Sequence, residues 1–171
     1  AVKKRSELIN HSDILLSIHP PQDSEISSMN GKILVGVFNP LMNNDLVVLM
    51  ADNKITTFSM DMLPRTTRAQ SMDVLSSQAN IAGYKAVLEA ANAYSRYFPM
   101  FMTAAGSIAP AKVLILGAGV AGLQAIATAR RLGAVVEVFD TRPAVKEEVM
   151  SLGAKFIEIE VRGAVNVADA K

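Results

Sequence analysis

The chain has 171 residues, half of them apolar, and a formal net charge of +1. That length suits one domain or parts of two with ample material for a core, and the balanced charge gives no reason to expect nucleic acid or an acidic partner. There is no cysteine and the two histidines, His11 and His19, have no ligand spacing, so disulfides, thiol nucleophiles and Cys-type zinc sites are excluded and no metal is expected.

The opening Ala1-Val-Lys-Lys-Arg-Ser is neither an initiator sequence nor the apolar core of a signal peptide, so the chain is expected to begin inside a larger protein. Asp13-Ile-Leu-Leu-Ser-Ile then reads as a buried strand ending at Pro20-Pro21, and Asp23 to Met29 as a short helix. Lys32 to Phe38 is a second strand, closed by Asn39-Pro40. Asn43 to Asn53 is a helix with Asn43 or Asn44 as its N-cap, and Ile55 to Met62 is a third strand stopped by Pro64. Strand and helix in alternation imply a parallel sheet. A proline-free run from Ser71 to about Tyr97, rich in Ala, Leu, Gln, Glu and Lys, predicts a long helix bridging two domains. Gly83 inside it is expected to permit close packing.

From Met100 to Ala129 the only charge is Lys112, and the run is long enough to cross a bilayer. Pro110 and the glycines at 106, 117, 119 and 122 instead break it into loop, short strand, loop and helix. Parallel strands buried on both faces give equally apolar runs. Lys112-Val-Leu-Ile-Leu is therefore a strand and Val120 to Leu132 a helix stopped by Gly133. Val135 to Asp140 is a second strand, Pro143 starts a helix that Gly153 ends, and Lys155-Phe-Ile-Glu-Ile-Glu is a third strand. The predicted class is α/β: two Rossmann-like parallel-sheet domains, both incomplete in these residues, joined by a long helix. The predicted divisions are 1–64 (the C-terminal part of a first domain), 65–105 (a polar loop and the bridging helix), 106–160 (the first half of a dinucleotide-binding domain) and 161–171, unassigned.

Gly117-Ala-Gly119-Val-Ala-Gly122 matches the dinucleotide fingerprint G-x-G-x-x-G. Alone the match is weak. Here an apolar strand precedes it, an apolar helix follows, and the next strand ends in an acid. Gly117 allows the tight turn, a β-carbon at Gly119 would block a pyrophosphate, and Gly122 lets helix and strand pack closely. The phosphates would meet free N–H groups at the helix start, where Val120 and Ala121 lie. Asp140 stands 23 residues after Gly117, where a carboxylate can accept bonds from both adenosine ribose hydroxyls and repel a 2′-phosphate. That favours NAD over NADP, although Arg142 beyond Thr141 weakens the inference. The competing reading is an ordinary strand–turn–helix with a solvated Asp.

With those residues in view, the chain resembles the NAD(H)-binding component, or alpha subunit, of proton-translocating NAD(P)+ transhydrogenase in the alanine dehydrogenase/PNT superfamily. The resemblance rests on Arg65-Thr-Thr-Arg-Ala-Gln70-Ser-Met-Asp73-Val-Leu-Ser76, on Phe98-Pro-Met-Phe-Met-Thr-Ala-Ala-Gly, on the fingerprint, and on Phe139-Asp-Thr-Arg-Pro-Ala-Val-Lys-Glu. It is close from about Met60 to Ile159, looser from Asp13 to Asp52, and absent after Val161. It implies direct hydride transfer between NADH and NADP+, with NAD(H) on this component. NADP(H) would sit on a partner component, and a membrane component would carry protons. It also implies a homodimer on the soluble face of a membrane, either the matrix side of the mitochondrial inner membrane or the bacterial cytoplasmic side. Arg65, Gln70, Asp73 and Ser76 would line the nicotinamide end of the site, and the protein's work would be positioning. Gly117, Gly119, Val120, Ala121, Gly122, Asp140, Thr141 and Arg142 would bind the rest of the cofactor. From the residues alone, the 65–73 stretch reads more readily as a solvated loop with an N-cap at Ser71 than as a binding loop.

Other signals are weaker. Met60, Met62, Met72, Met100 and Met102 read as core filling. Tyr84-Lys85 and Tyr94 lack the Tyr-x-x-x-Lys spacing of short-chain dehydrogenases, and nothing near Asp61 or Asp73 predicts a shifted pKa. A soluble alanine-dehydrogenase-type enzyme is the main rival. By resemblance it would need a lysine near His19-Pro-Pro and a histidine near Phe38-Asn39-Pro40, and neither is present as required. His19 itself reads as an ordinary core or surface histidine. A non-catalytic NAD-sensing module is the third reading.

Overall fold

The computed structural model describes residues 4–159. The chain divides into two compact units, Ala1–Leu75 and Ser76–Lys171.

In the first unit, α1 (Arg5–His11) precedes β1 (Ile14–Ser17), and α2 (Asp23–Ile26), prolonged by a 3-10 turn, leads to β2 (Ile33–Gly36). Next, α3 (Asn44–Asp52) leads to β3 (Thr56–Ser59), followed by 3-10 turns at Met60–Met62 and Gln70–Met72. The strands are parallel in the order β1-β2-β3, as the alternation of strands and helices predicts. Leu15 and Leu34 turn inward against Ile26, Met29, Phe38, Met50 and Ile55. Helix α1 has no clear signal in the sequence. Its N-cap position, Lys4, makes no side-chain cap bond, and seven residues without a cap form a marginal helix. Burial of Ile9 and the Arg5–Glu25 ion pair (2.5 Å) hold it in place. Asn43 occupies the N-cap position of α3 as expected, yet its side chain donates to the Phe38 carbonyl (2.9 Å) and leaves the helix end uncapped.

In the second unit, α4 (Val74–Ala93), whose first two residues still belong to unit one, is three residues later in starting and four earlier in ending than the sequence suggests. A short antiparallel hairpin of β4 (Phe101–Thr103) and β5 (Gly106–Ile108) occupies what reads as loop. Then come β6 (Lys112–Leu116), α5 (Val120–Arg131), β7 (Val135–Phe139), a 3-10 turn at Pro143–Val145, α6 (Lys146–Ser151) and β8 (Lys155–Phe156). These three strands are parallel in the order β6-β7-β8. The run that could have been a membrane span is thus a hairpin, a strand and a helix, and no helix among the described residues is long and apolar enough to cross a membrane. Gly133 and Gly153 end α5 and α6 with φ of +88° and +77°, a conformation that favours glycine. The third strand is shorter than expected: pairing covers Lys155 and Phe156, the Ile157 N–H still reaches the Val138 carbonyl (2.7 Å), and Glu160 lies outside the described residues together with 161–171.

Two sequence expectations about burial fail. The apolar strands are not covered on both faces. Val136 and Val138 of β7 are packed by Ile126 and Ala129 of α5 and Val149 of α6, because right-handed crossovers laid in one direction put both helices on one side. The opposite face leaves Leu114 57% and Leu116 74% exposed, and in the first unit Leu16 is 80% exposed. The methionines are not core filling either. Met62, Met72, Met100 and Met102 are exposed and Met60 is half-buried, because they stand on 3-10 turns and at the hairpin rather than on a helix or strand face that meets a core.

Candidate functional site

The β6–α5 turn is built by its glycines. Gly117 has φ +97°, which permits the sharp exit from β6. A β-carbon on Gly122 would stand 1.9 Å from the Gly117 carbonyl oxygen, so only glycine lets the first turn of α5 lie against the strand end. A β-carbon on Gly119 would meet nothing within 4 Å. That open space lies in front of the helix start, where the N–H groups of Val120, Ala121 and Gly122 have no intrahelical acceptor. A cradle bare of side chains and lined by donors suits a phosphate. Gly83 answers the expectation of close packing: its β-carbon would lie 2.0 Å from the Ala121 carbonyl oxygen, so α4 meets the first turn of α5 backbone to backbone. Asn80 Nδ2 donates to Gln124 Oε1 (3.2 Å) along the same contact.

Asp140 follows directly on β7 and faces this turn. Its Oδ2 accepts from the Ala118 N–H (2.7 Å) and its Oδ1 from the Arg142 N–H (2.8 Å). The Arg142 guanidinium adds Nε–H to Oδ1 and Nη2–H to Oδ2, both at 3.1 Å. That fork, and then the two backbone N–H groups, hold the carboxyl well below the usual carboxylate range, against the opposing effect of burial. The Asp140 side chain is 6% exposed and that of Arg142 61%. Thr141 is exposed between them. Gly117, Gly119, Val120, Ala121, Gly122, Asp140, Thr141 and Arg142 therefore fall at one turn and the adjoining strand end. The part of Ala118 is not readable from the sequence, because a backbone donor leaves no residue-type signal.

Ser76 lies half-buried in the first turn of α4. In the first unit, Arg65 and Gln70 are exposed and Asp73 is half-buried, in the stretch between β3 and α4. The Gln70–Met72 turn is held by backbone bonds, with the Gln70 N–H donating to the Thr66 carbonyl (3.1 Å). Ser71 sits inside this turn and donates to the Arg68 carbonyl (3.5 Å), so it is not the N-cap of α4 that a plain solvated loop would make it.

Asp61 corrects an expectation. Burial raises its pKa, but the Ser59 hydroxyl (2.5 Å) and backbone N–H groups, the Phe38 N–H at 3.2 Å among them, outweigh this and lower it overall. The carboxylate pins the chain as it leaves β2, where Asn39 takes φ +48°. His19, the stray acid–base candidate for a rival mechanism, is exposed.

The N-terminal-domain model of the alanine dehydrogenase/PNT family matches residues 1–82, and the C-terminal-domain model of the same family matches residues 86–170. The chain belongs to the alanine dehydrogenase/PNT family. Within that family, it is 49% identical over 152 residues to NAD(P) transhydrogenase subunit alpha of Haemophilus influenzae, an alignment that covers 88% of the chain and 30% of the relative. The solved structure of transhydrogenase from Sinorhizobium meliloti superposes with a TM-score of 0.83 at 54% identity, over 90% of the chain and 46% of that structure. An L-alanine dehydrogenase structure shares the fold, with a TM-score of 0.68 at 20% identity over 91% of the chain and 44% of its own. The chain spans less than half the length of these alanine dehydrogenase/PNT relatives.

Proposed function

We propose that this chain is part of the NAD(H)-binding component of a proton-translocating NAD(P) transhydrogenase. The observation that carries the reading is the open, donor-lined turn at Gly119 facing the ionised Asp140. The turn would receive the pyrophosphate and Asp140 the adenosine ribose. When bound, NADH supplies the hydride, which would pass directly to NADP+ held on a partner component while a membrane component moves the proton. Arg65, Gln70, Asp73 and Ser76 would position the nicotinamide end. No side chain of this chain acts as nucleophile or acid–base group in such a reaction, so its contribution is orientation. A homodimer on the soluble face of the membrane belongs to the same proposal. Its support is the similarity to transhydrogenase alpha subunits together with the run Arg65 to Ser76. The rival amino-acid dehydrogenase reading has at 20% identity only the shared fold behind it.

The test is to combine the protein with an NADP(H)-binding transhydrogenase component and follow nucleotide-to-nucleotide hydride transfer. Transfer supports the reading. Turnover of alanine, or of pyruvate with ammonia, would point to the dehydrogenase instead, and NADH binding without either activity would point to a sensing module.

Asp140→Asn gives a direct check on the ribose contact. A hydrogen bond to a charged group contributes roughly 1.5–3 kcal/mol. The variant is expected to bind NADH about ten- to a hundredfold more weakly in a fluorescence titration, with its circular dichroism unchanged. Equal affinity would remove Asp140 from the site.

A further inference from the structure

We propose that Arg142 is a latch on Asp140, competing with the adenosine ribose so that NAD(H) binds only as the guanidinium leaves. The inference rests on the reading of this site as an NAD(H) site. A carboxylate offers about four lone-pair positions. Here four donors fill them: the Ala118 N–H and the Arg142 Nη2–H on Oδ2, the Arg142 N–H and the Arg142 Nε–H on Oδ1. No acceptor position remains for an arriving hydroxyl.

The four donors are not equally held. The two backbone N–H groups are fixed by the β6–α5 turn and by the bend after β7, and their bonds are the shorter, at 2.7 and 2.8 Å. The guanidinium bonds are both 3.1 Å and stand on a side chain that is 61% exposed. A vicinal diol bridges two carboxylate oxygens, so the exchange is one for one: two guanidinium N–H bonds go and two ribose O–H bonds come. The backbone bonds stay and keep the carboxylate aimed. In this arrangement Arg142 keeps the buried carboxylate paired until the ribose replaces it, at the expense of some affinity.

The cost is modest because the ion pair is exposed at its arginine end, where solvent screens the attraction. The experiment is a double-mutant cycle read by NADH fluorescence titration of the wild-type chain, Arg142→Ala, Asp140→Asn and the double variant. Arg142→Ala is expected to bind NADH about two- to fivefold more tightly than wild type. In the Asp140→Asn background the same substitution is expected to give no gain, because there is no carboxylate left to compete for. Arg142→Lys, which keeps the charge but cannot donate a fork, is expected to fall between wild type and alanine. Equal or weaker binding by Arg142→Ala overturns the latch, and so does the same gain in both backgrounds, which would assign the effect to the charge of the surface alone. A wild-type chain that binds no NADH would instead overturn the site assignment itself, a distinct result.

Discussion

Gly119→Val is expected to abolish detectable NADH binding while leaving the chain folded. Gly119 has φ −81° and ψ −170°, an extended conformation open to any residue, so a β-branched side chain introduces no backbone strain there. Its β-carbon would enter open space, and no atom of the protein has to move. The only structural cost is a poorer N-cap for α5, about 1 kcal/mol. The same side chain would fill the volume in front of the helix N–H groups, where the phosphates would lie. The sister substitution Gly122→Val separates the two roles of the turn. Its β-carbon would be driven into the Gly117 carbonyl at 1.9 Å, so it is expected to unfold or severely destabilise the second unit. Circular dichroism and urea titration read the fold, and NADH fluorescence reads the site. A Gly119→Val chain that binds NADH normally would make the fingerprint a packing device only.

Gln70→Ala is expected to slow hydride transfer about a hundredfold while changing NADH affinity little. A reacting ring displaced by about an ångström loses near-attack alignment at roughly that cost, whereas most binding energy would come from the phosphate turn and Asp140. The substitution is structurally mild. The Gln70 side chain is exposed, and its turn is closed by backbone bonds from Gln70 to Thr66 and from Met72 to Ala69. Single-turnover transfer from bound NADH to NADP+ on the partner component, beside an NADH titration of the same variant, separates the effects. Equal losses in rate and affinity would mean that Gln70 supplies uniform binding only. An unchanged rate would return the 65–73 stretch to a solvated loop.

What is legible in the sequence is what short-range physics determines. The β6–α5–β7 unit can be read because Gly117, Gly122 and the apolar strands on either side constrain one another within thirty residues. Gly117 does take a positive φ and Gly122 does touch the strand end. The hairpin of β4 and β5 is not legible, since three-residue strands are too short to show an alternation. The exposure of Leu114, Leu116 and the four methionines is not legible either. An apolar residue states that it could be buried, while the layout of helices around the sheet decides whether it is. At the site, Asp140 is evident from its place after β7, but its occupation by Ala118 and Arg142 depends on side-chain and backbone directions that spacing does not encode. Asp61 shows no charged neighbour in the sequence to perturb it, yet its strongest partner, Ser59, stands only two residues away.

The contact at Gly83 has a mechanical consequence. Most helix pairs are separated by side chains that can rotate to absorb a small displacement. Here the backbone of α4 meets the Ala121 carbonyl of α5 with no side chain between them. Interiors packed this closely have low compressibility and pass strain on. A shift of α4 by a few tenths of an ångström therefore cannot be taken up locally. It must appear in the first turn of α5, at the N–H groups that face the open space before Gly119. The long helix is in this sense a stiff strut whose position sets the geometry of the turn.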